Sequence, residues 1–212
     1  YLEVLTLRDF RLYVIIDKKA VKGRDLAYAA KEAIAGGADV IQLRDKESDP
    51  ADVVEAGRAM RKAIGKDKAV FIVNDSPDIA LAVDADGVHL GQEDMPVIGA
   101  RSILGRGKII GLSTHSLEQA AAAQNSGADY IGVGPVFLTP TKPGYKAVGL
   151  DLVKEINKIR GLPFVAIGGI DESNIDEVIS AGASRVAVVR AVCGAEDIRG
   201  AAKKLKDKLT KR

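Results

Sequence analysis

The chain has almost no cysteine, no prevailing sign of charge and no long apolar run, and each lack excludes something. A single cysteine, Cys193, rules out an internal disulfide, and a cytoplasmic setting is the natural expectation. Cys193 lies beside apolar residues and reads as a small buried hydrophobe rather than a nucleophile. The 31 Lys and Arg nearly balance the 29 Asp and Glu, for a net charge of +2. The two signs interleave, whereas a nucleic-acid surface needs clustered basic residues, so no such partner is expected. The basic stretch KKLKDKLTKR at 203–212 reads as the solvated face of a last helix. No basic segment leads into a long apolar stretch, and no apolar run could span a bilayer, so no membrane partner is expected. The chain opens on Tyr1 rather than Met, which reads as an amino terminus trimmed or left out. Linkers and low-complexity tracts are also missing, so residues 1–212 are expected to form one domain.

Short apolar runs alternating with helical patterns fill the chain instead. The runs are LYVIID (12–17), VIQLRD (40–45), VFIVND (70–75), GVHLG (87–91), IIGLST (109–114), YIGVGPVF (130–137), PFVAIGGI (163–170) and RVAVVRAV (185–192). Such runs, bounded by polar punctuation, are the mark of parallel strands buried on both faces. Between them apolar residues recur at helical spacing, as in Leu26, Ala29, Ala30, Ala33 and Ile34. The joints repeat as Gly37-Ala38-Asp39, Gly127-Ala128-Asp129 and Gly182-Ala183-Ser184. Glycine there supplies a left-handed helix end, and alanine allows helix and strand to approach closely. Eight such units predict a single-domain α/β fold, the (β/α)8 TIM barrel, since closure removes sheet edges. An open doubly wound sheet usually carries a Gly-rich turn after its first strand, where this chain has Asp17-Lys18-Lys19.

Polar residues gather at the carboxyl ends of these strands, where barrels place their active sites. They include Gln42, Arg44, Asp45 and Lys46, then Asn74 and Asp75, Asp94, Ser113 with Thr114 and His115, Thr139, Thr141 and Lys142, Gly168 and Gly169, and Arg190 on strand eight. Arg44, Lys46 and Lys142 suit a phosphorylated substrate. Asp75 and Asp94 come from adjacent strands and could share one Mg²⁺, which takes one or two carboxylates and fills its other positions with water and phosphate. Gly168-Gly169 would let backbone N–H groups approach a second phosphate. Blander readings stand beside these. Asp75 could cap the helix opening at Ser76-Pro77, Asp94 could cap the one at Met95-Pro96, and Arg44 to Lys46 could be a surface turn. His89 sits mid-strand and reads as a satisfied core histidine, and His115 as a supporting group or a cap.

In order along the chain, QLRDK (42–46), VND (73–75), ADGVHLGQED (85–94), GLSTHS (111–116), GPVFLTPTK (134–142) and AIGGI (166–170) resemble the thiamin phosphate synthase family. The resemblance implies a barrel enzyme that joins hydroxymethylpyrimidine diphosphate to thiazole phosphate and releases pyrophosphate with Mg²⁺. It implies Gln42, Arg44, Lys46 and Asn74 on the pyrimidine diphosphate and metal carboxylates at Asp75 and Asp94. Ser113 falls on the fifth-strand motif, and Lys142 would reach the diphosphate. Thr139 to Thr141, Gly169, Val189 and Arg190 would line the thiazole phosphate pocket. Many family members carry Ser where this chain has Arg190, and an added cation there suits a phosphate. Three rivals remain: a thiazole tautomerase-like barrel of the same superfamily, with a histidine after strand five, a phosphate-binding barrel isomerase, which would show an acid/base carboxylate pair and need no metal, and a non-catalytic binder of thiamin precursors. No Ser-His-Asp or Cys-His arrangement is evident, and the implied chemistry needs none.

Overall fold

The structure is a computed structural model that describes residues 10–66, 68–141, 144, 146–159 and 161–211. Eight parallel strands close into a barrel in chain order, each hydrogen-bonded to its sequence neighbours and the last to the first. They are β1 (Leu12–Asp17), β2 (Val40–Arg44), β3 (Val70–Asn74), β4 (Gly87–Leu90), β5 (Ile109–Thr114), β6 (Tyr130–Val133), β7 (Phe164–Ile167) and β8 (Val186–Val188). The helices alternate with them as α1 (Leu26–Ala35), α2 (Pro50–Ile64), α3 (Pro77–Ala82), α4 (Val97–Leu104), α5 (Leu117–Ala123), α6 (Gly149–Lys158), α7 (Ile175–Ser180), α8 (Arg190–Cys193) and α9 (Ile198–Thr210). No helix among the described residues is long and apolar enough to cross a membrane.

Alternation along each strand splits the core in two, because successive side chains point to opposite faces. One set packs between the strands and the helices, and includes Leu12, Val14, Ile16, Ile41, Leu43, Phe71 and Val73. The other fills the barrel interior with Phe10, Tyr13, Ile15, Val40, Val70, Ile72, Tyr130, Val165 and Ala187. Phe10 stands edge-on to both Tyr13 and Tyr130, with ring centroids 6.2 and 6.3 Å apart, and these three rings plug the amino-terminal half of the barrel. The other half stays open.

The predicted joints have the required backbone, with φ of 101° at Gly37, 88° at Gly127 and 105° at Gly182. Aspartates immediately before β2, β4 and β6 lock the closed rim. Asp39 accepts the Arg11 and Leu12 N–H groups at 2.7 and 2.9 Å, and pairs with Lys206 of α9 at 2.6 Å. Asp129 accepts the Ile110 N–H at 2.7 Å and pairs with Arg101 of α4 at 2.7 Å. Asp86 does the same with the Phe71 N–H and Arg61 of α2, at 2.7 and 3.0 Å. Each carboxylate joins a strand start to an outer helix, so this rim is engaged in holding the fold.

Several strands end earlier than their apolar letters suggest. β6 stops at Val133, but Val136 and Phe137 N–H still bond to the Ile167 and Gly168 carbonyls at 2.8 and 3.0 Å, an irregular continuation alongside β7. β7 stops at Ile167, before Gly168 and Gly169 turn into positive φ at 103° and 65°. Strand eight does not carry Arg190. β8 ends at Val188, and Arg190 is the first residue of the short α8, because the Val189 backbone (φ −114°, ψ −84°) leaves the extended region.

Candidate active site

The open end of the barrel holds a cavity of about 480 Å³. It is lined by Gln42, Arg44, Lys46, Asn74, Asp75, Asp94, Ser113, Thr139, Thr141, Gly169, Val189 and Arg190, so those expected site residues share one space. Lys142 lies outside the described residues. Asp45 turns away: its carboxylate accepts the Glu47 and Ser48 N–H groups at 3.0 and 3.1 Å and pairs with Lys18 at 3.3 Å.

Parity places the inward polar residues. In β2, Gln42 and Arg44 share the inner face with Val40, and in β5 Ser113 shares it with Gly111. Arg44 is anchored from β1 by an ion pair with the buried Asp17, whose other oxygen accepts the Ala20 N–H at 3.0 Å. An arginine held this way presents its guanidinium fork without a large ordering cost.

The two candidate metal carboxylates reach the mouth by different local devices. Asp75 does not cap α3, since Ser76 stands at the cap position. Its backbone turns into the left-handed region at φ 64°, while its N–H stays bonded to the His89 carbonyl at 2.9 Å. The side chain pairs with Lys46 at 2.8 Å. A non-glycine residue with positive φ is costly, and such outliers concentrate at working sites. Asp94 does not cap α4 either, because Pro96 holds that position. The Gly91–Asp94 turn folds its carboxylate back to accept the Gly91 N–H at 2.6 Å, and a Cβ at position 91 would meet that oxygen at 2.8 Å. Partial burial and then the neighbouring Asp75 raise the Asp94 pKa above its ordinary value, and the Lys46 charge opposes them. Asp75 lies close enough to disfavour the ionisation of Asp94, and with Lys46 alongside the group forms an electrostatically unfinished site. Among the described residues no group of three or more His, Cys, Asp or Glu is placed to hold a metal ion, so a cation here would have two protein carboxylates. A two-carboxylate set therefore suits a hard cation that completes its shell with water and substrate phosphate.

Opposite this acidic pair the cavity wall is glycine-rich. Gly168 packs on Pro135, and a Cβ at Gly169 would meet the Leu138 carbonyl oxygen at 2.7 Å, so the β7 turn and the loop after β6 touch backbone to backbone. Arg190 is exposed at this side and provides the positive charge there. Asp171 also lines the cavity, with its carboxylate taken up by the Ser173 N–H and hydroxyl at 2.8 and 2.5 Å.

The floor joins the expected Gln42 and Ser113 to His89, read from the sequence as a core histidine, and to Tyr13 and Tyr130, which the sequence did not single out. Gln42 Nε2 donates to the Tyr13 hydroxyl at 2.7 Å, and the Tyr13 and Tyr130 hydroxyls lie 3.1 Å apart. His89 Nδ1 meets the Tyr130 hydroxyl at 2.9 Å, and its Nε2 meets Ser113 Oγ at 3.0 Å. His89 is thus a bonded histidine, as expected, but one that faces the cavity. The available signal was parity, since His89 stands level with Asn74 of β3 and with Gly111 of β5, on the face that Ser113 shares. His115 is tied to the Gly134 carbonyl through Nδ1, and its N–H donates to Gln119 at 2.7 Å.

The family model described as thiamine monophosphate synthase matches residues 12–192. The thiamine-phosphate synthase of Halalkalibacterium halodurans is 47% identical over 195 residues, covering 92% of either chain. That of Coprothermobacter proteolyticus is 48% identical over 197 residues, covering 93% of either chain. Among solved structures, the thiamine phosphate pyrophosphorylase from Pyrococcus furiosus superposes with a TM-score of 0.87 at 41% identity, covering 96% of each chain.

Proposed function

Because the chain belongs to the thiamine monophosphate synthase family and is a transferase of thiamin biosynthesis, we propose that it joins hydroxymethylpyrimidine diphosphate to thiazole phosphate in the cytoplasm, as a single barrel domain. The observation that carries this reading is the division of the rims. Asp39, Asp86 and Asp129 at the closed end are engaged by strand N–H groups and helix cations, whereas Asp75 and Asp94 face the cavity beside Arg44 and Lys46.

Arg44, oriented by Asp17, and Lys46 bind the diphosphate, with Lys142 as a third cation. Asp75 and Asp94 would hold Mg²⁺, which supplies Lewis-acid stabilisation of the departing diphosphate. Gln42, Asn74 and Ser113 seat the pyrimidine on the floor. Thr139, Thr141, Gly169, Val189 and Arg190 receive the thiazole phosphate on the opposite wall, where the start of α8 offers backbone N–H groups beside Arg190.

In this arrangement the exocyclic C–O bond breaks with its electron pair leaving on the diphosphate. The aminopyrimidine ring delocalises the positive charge on carbon, and the thiazole nitrogen lone pair forms the new C–N bond. No proton must be removed for that bond to form, so leaving-group stabilisation rather than a strong general base is what the site must provide. Water would capture the cation. The site must therefore exclude water; Gly144 and, at the start of α6, Gly149 take positive φ of 104° and 76°, which glycine adopts readily.

The test is product formation. The purified protein should convert the two substrates, and neither alone, into equal amounts of thiamin phosphate and pyrophosphate. Tight binding of both without turnover would make the chain a non-catalytic binder.

A further inference from the structure

Five polar side chains from five strands form one continuous chain across the barrel interior: Gln42 of β2, Tyr13 of β1, Tyr130 of β6, His89 of β4 and Ser113 of β5. Tyr13 and Tyr130 are almost fully buried, and burial first of all raises the pKa of each, so both remain phenols with one proton apiece. The spacing is enforced by small neighbours. A Cβ at Gly111 would overlap the Tyr130 ring and His89 Nδ1, and one at Gly132 would press on His89 Cε1 at 3.2 Å.

We propose that this chain has a fixed direction, running from Gln42 to Ser113, that makes Ser113 a hydrogen-bond donor to the substrate, with Tyr13, Tyr130 and His89 as positioning residues. The direction follows from the Gln42 end. An amide NH₂ can only donate, so the Tyr13 oxygen accepts from it and the Tyr13 proton goes to Tyr130. Tyr130 then gives its own proton to His89 Nδ1, which leaves the imidazole proton on Nε2 to be donated to Ser113 Oγ. The Ser113 oxygen is satisfied from behind, and its hydrogen turns to the cavity that Ser113 lines.

The two ends of the chain therefore face substrate with opposite polarity. Gln42 retains an amide oxygen as acceptor, and Ser113 presents a donor. Resting on the function proposed above, this pattern complements a nitrogen heteroaromatic that carries an amino donor and a ring-nitrogen acceptor. A buried floor of fixed polarity disfavours an analogue in which either group is reversed, because a buried polar atom would be left unpaired.

The test is the tautomer of His89 in the full-length protein, read from imidazole ¹⁵N shifts by long-range ¹H–¹⁵N correlation. The chain has two histidines, so a His115→Asn variant assigns the spectrum. The expected result is a bare Nδ1 and a protonated Nε2. A proton on Nδ1, alone or in a doubly protonated ring, would overturn the proposal. Gln42→Glu turns the donor into an acceptor and should move the proton to Nδ1; an unchanged tautomer would contradict transmission along the chain. Tyr130→Phe should give mixed tautomers and lower kcat about tenfold, with the KM for thiazole phosphate unchanged. A lower melting temperature with the Nε2–H tautomer intact would reduce Tyr130 to a packing residue. The wild-type spectrum and the Gln42→Glu spectrum require no turnover, so they decide the direction even if the assigned reaction fails.

Discussion

Lys46 and Asp75 form an ion pair of 2.8 Å across the mouth, joining the loop after β2 to the end of β3. One partner is a candidate diphosphate cation and the other a candidate metal carboxylate. Their contact partly neutralises the acidic pair in the absence of ligands, and substrate with metal would supply better partners to both. Lys46→Ala is therefore expected to lower kcat by roughly 10²-fold, the scale for removing one preorganised group that stabilises developing charge. Metal affinity without substrate should be unchanged or higher, and isothermal titration with Mn²⁺ checks it.

Asp94 is held in its charged form at a cost, through partial burial and the adjacent Asp75. Its folded pKa lies above the ordinary value of 3.8, so the folded state binds the proton more tightly than the unfolded chain. Stability therefore improves as pH falls through the folded pKa, and at neutral pH the group destabilises. Asp94→Asn is expected to raise the melting temperature at pH 7, an effect that disappears below pH ~3.8, while it abolishes metal-dependent turnover. Thermal melts across pH 3 to 8 provide the measurement.

Asp17 fixes Arg44 from behind the cavity wall. Removing one partner of a largely buried ion pair leaves the other uncompensated, so Asp17→Ala should cost about 3 kcal/mol of stability. Asp17→Asn keeps the Ala20 contact but frees the guanidinium, and should raise the KM for the diphosphate substrate more than that for thiazole phosphate. Steady-state kinetics with each substrate varied separates the two.

The closed rim supplies the control. Asp39 accepts two strand N–H groups and pairs with Lys206, so Asp39→Ala should destabilise by about 3 kcal/mol with kcat at the folded temperature unchanged. Denaturant unfolding alongside turnover would show the two rims responding oppositely.

Much of this was legible because a barrel writes itself twice, in apolar runs and in Gly-Ala joints. β1 and β5 begin and end where their letters do, at Leu12–Asp17 and Ile109–Thr114. The ends of strands six to eight were less legible. Val136 and Phe137 keep apolar letters and partial pairing beyond the regular ladder, and Val189 looks like a strand residue although its backbone has already turned. Pairing partners are hidden in any single sequence. Asp17 is only a polar strand end until Arg44 is seen against it, and nothing in the letters of β1 and β6 tells that the Tyr13 and Tyr130 hydroxyls meet. The positive φ of Asp75 is equally silent, since Asp-Ser-Pro also spells a helix start.

Pyrophosphate release from the two substrates, with EDTA and after Mg²⁺ is restored, tests most directly whether the acidic pair and the cations act together on a diphosphate. We predict that wild type loses release in EDTA and regains it with Mg²⁺, while folded Asp75→Asn and Asp94→Asn variants remain inactive in both. Full release in EDTA, or undiminished turnover in both variants, would contradict the account.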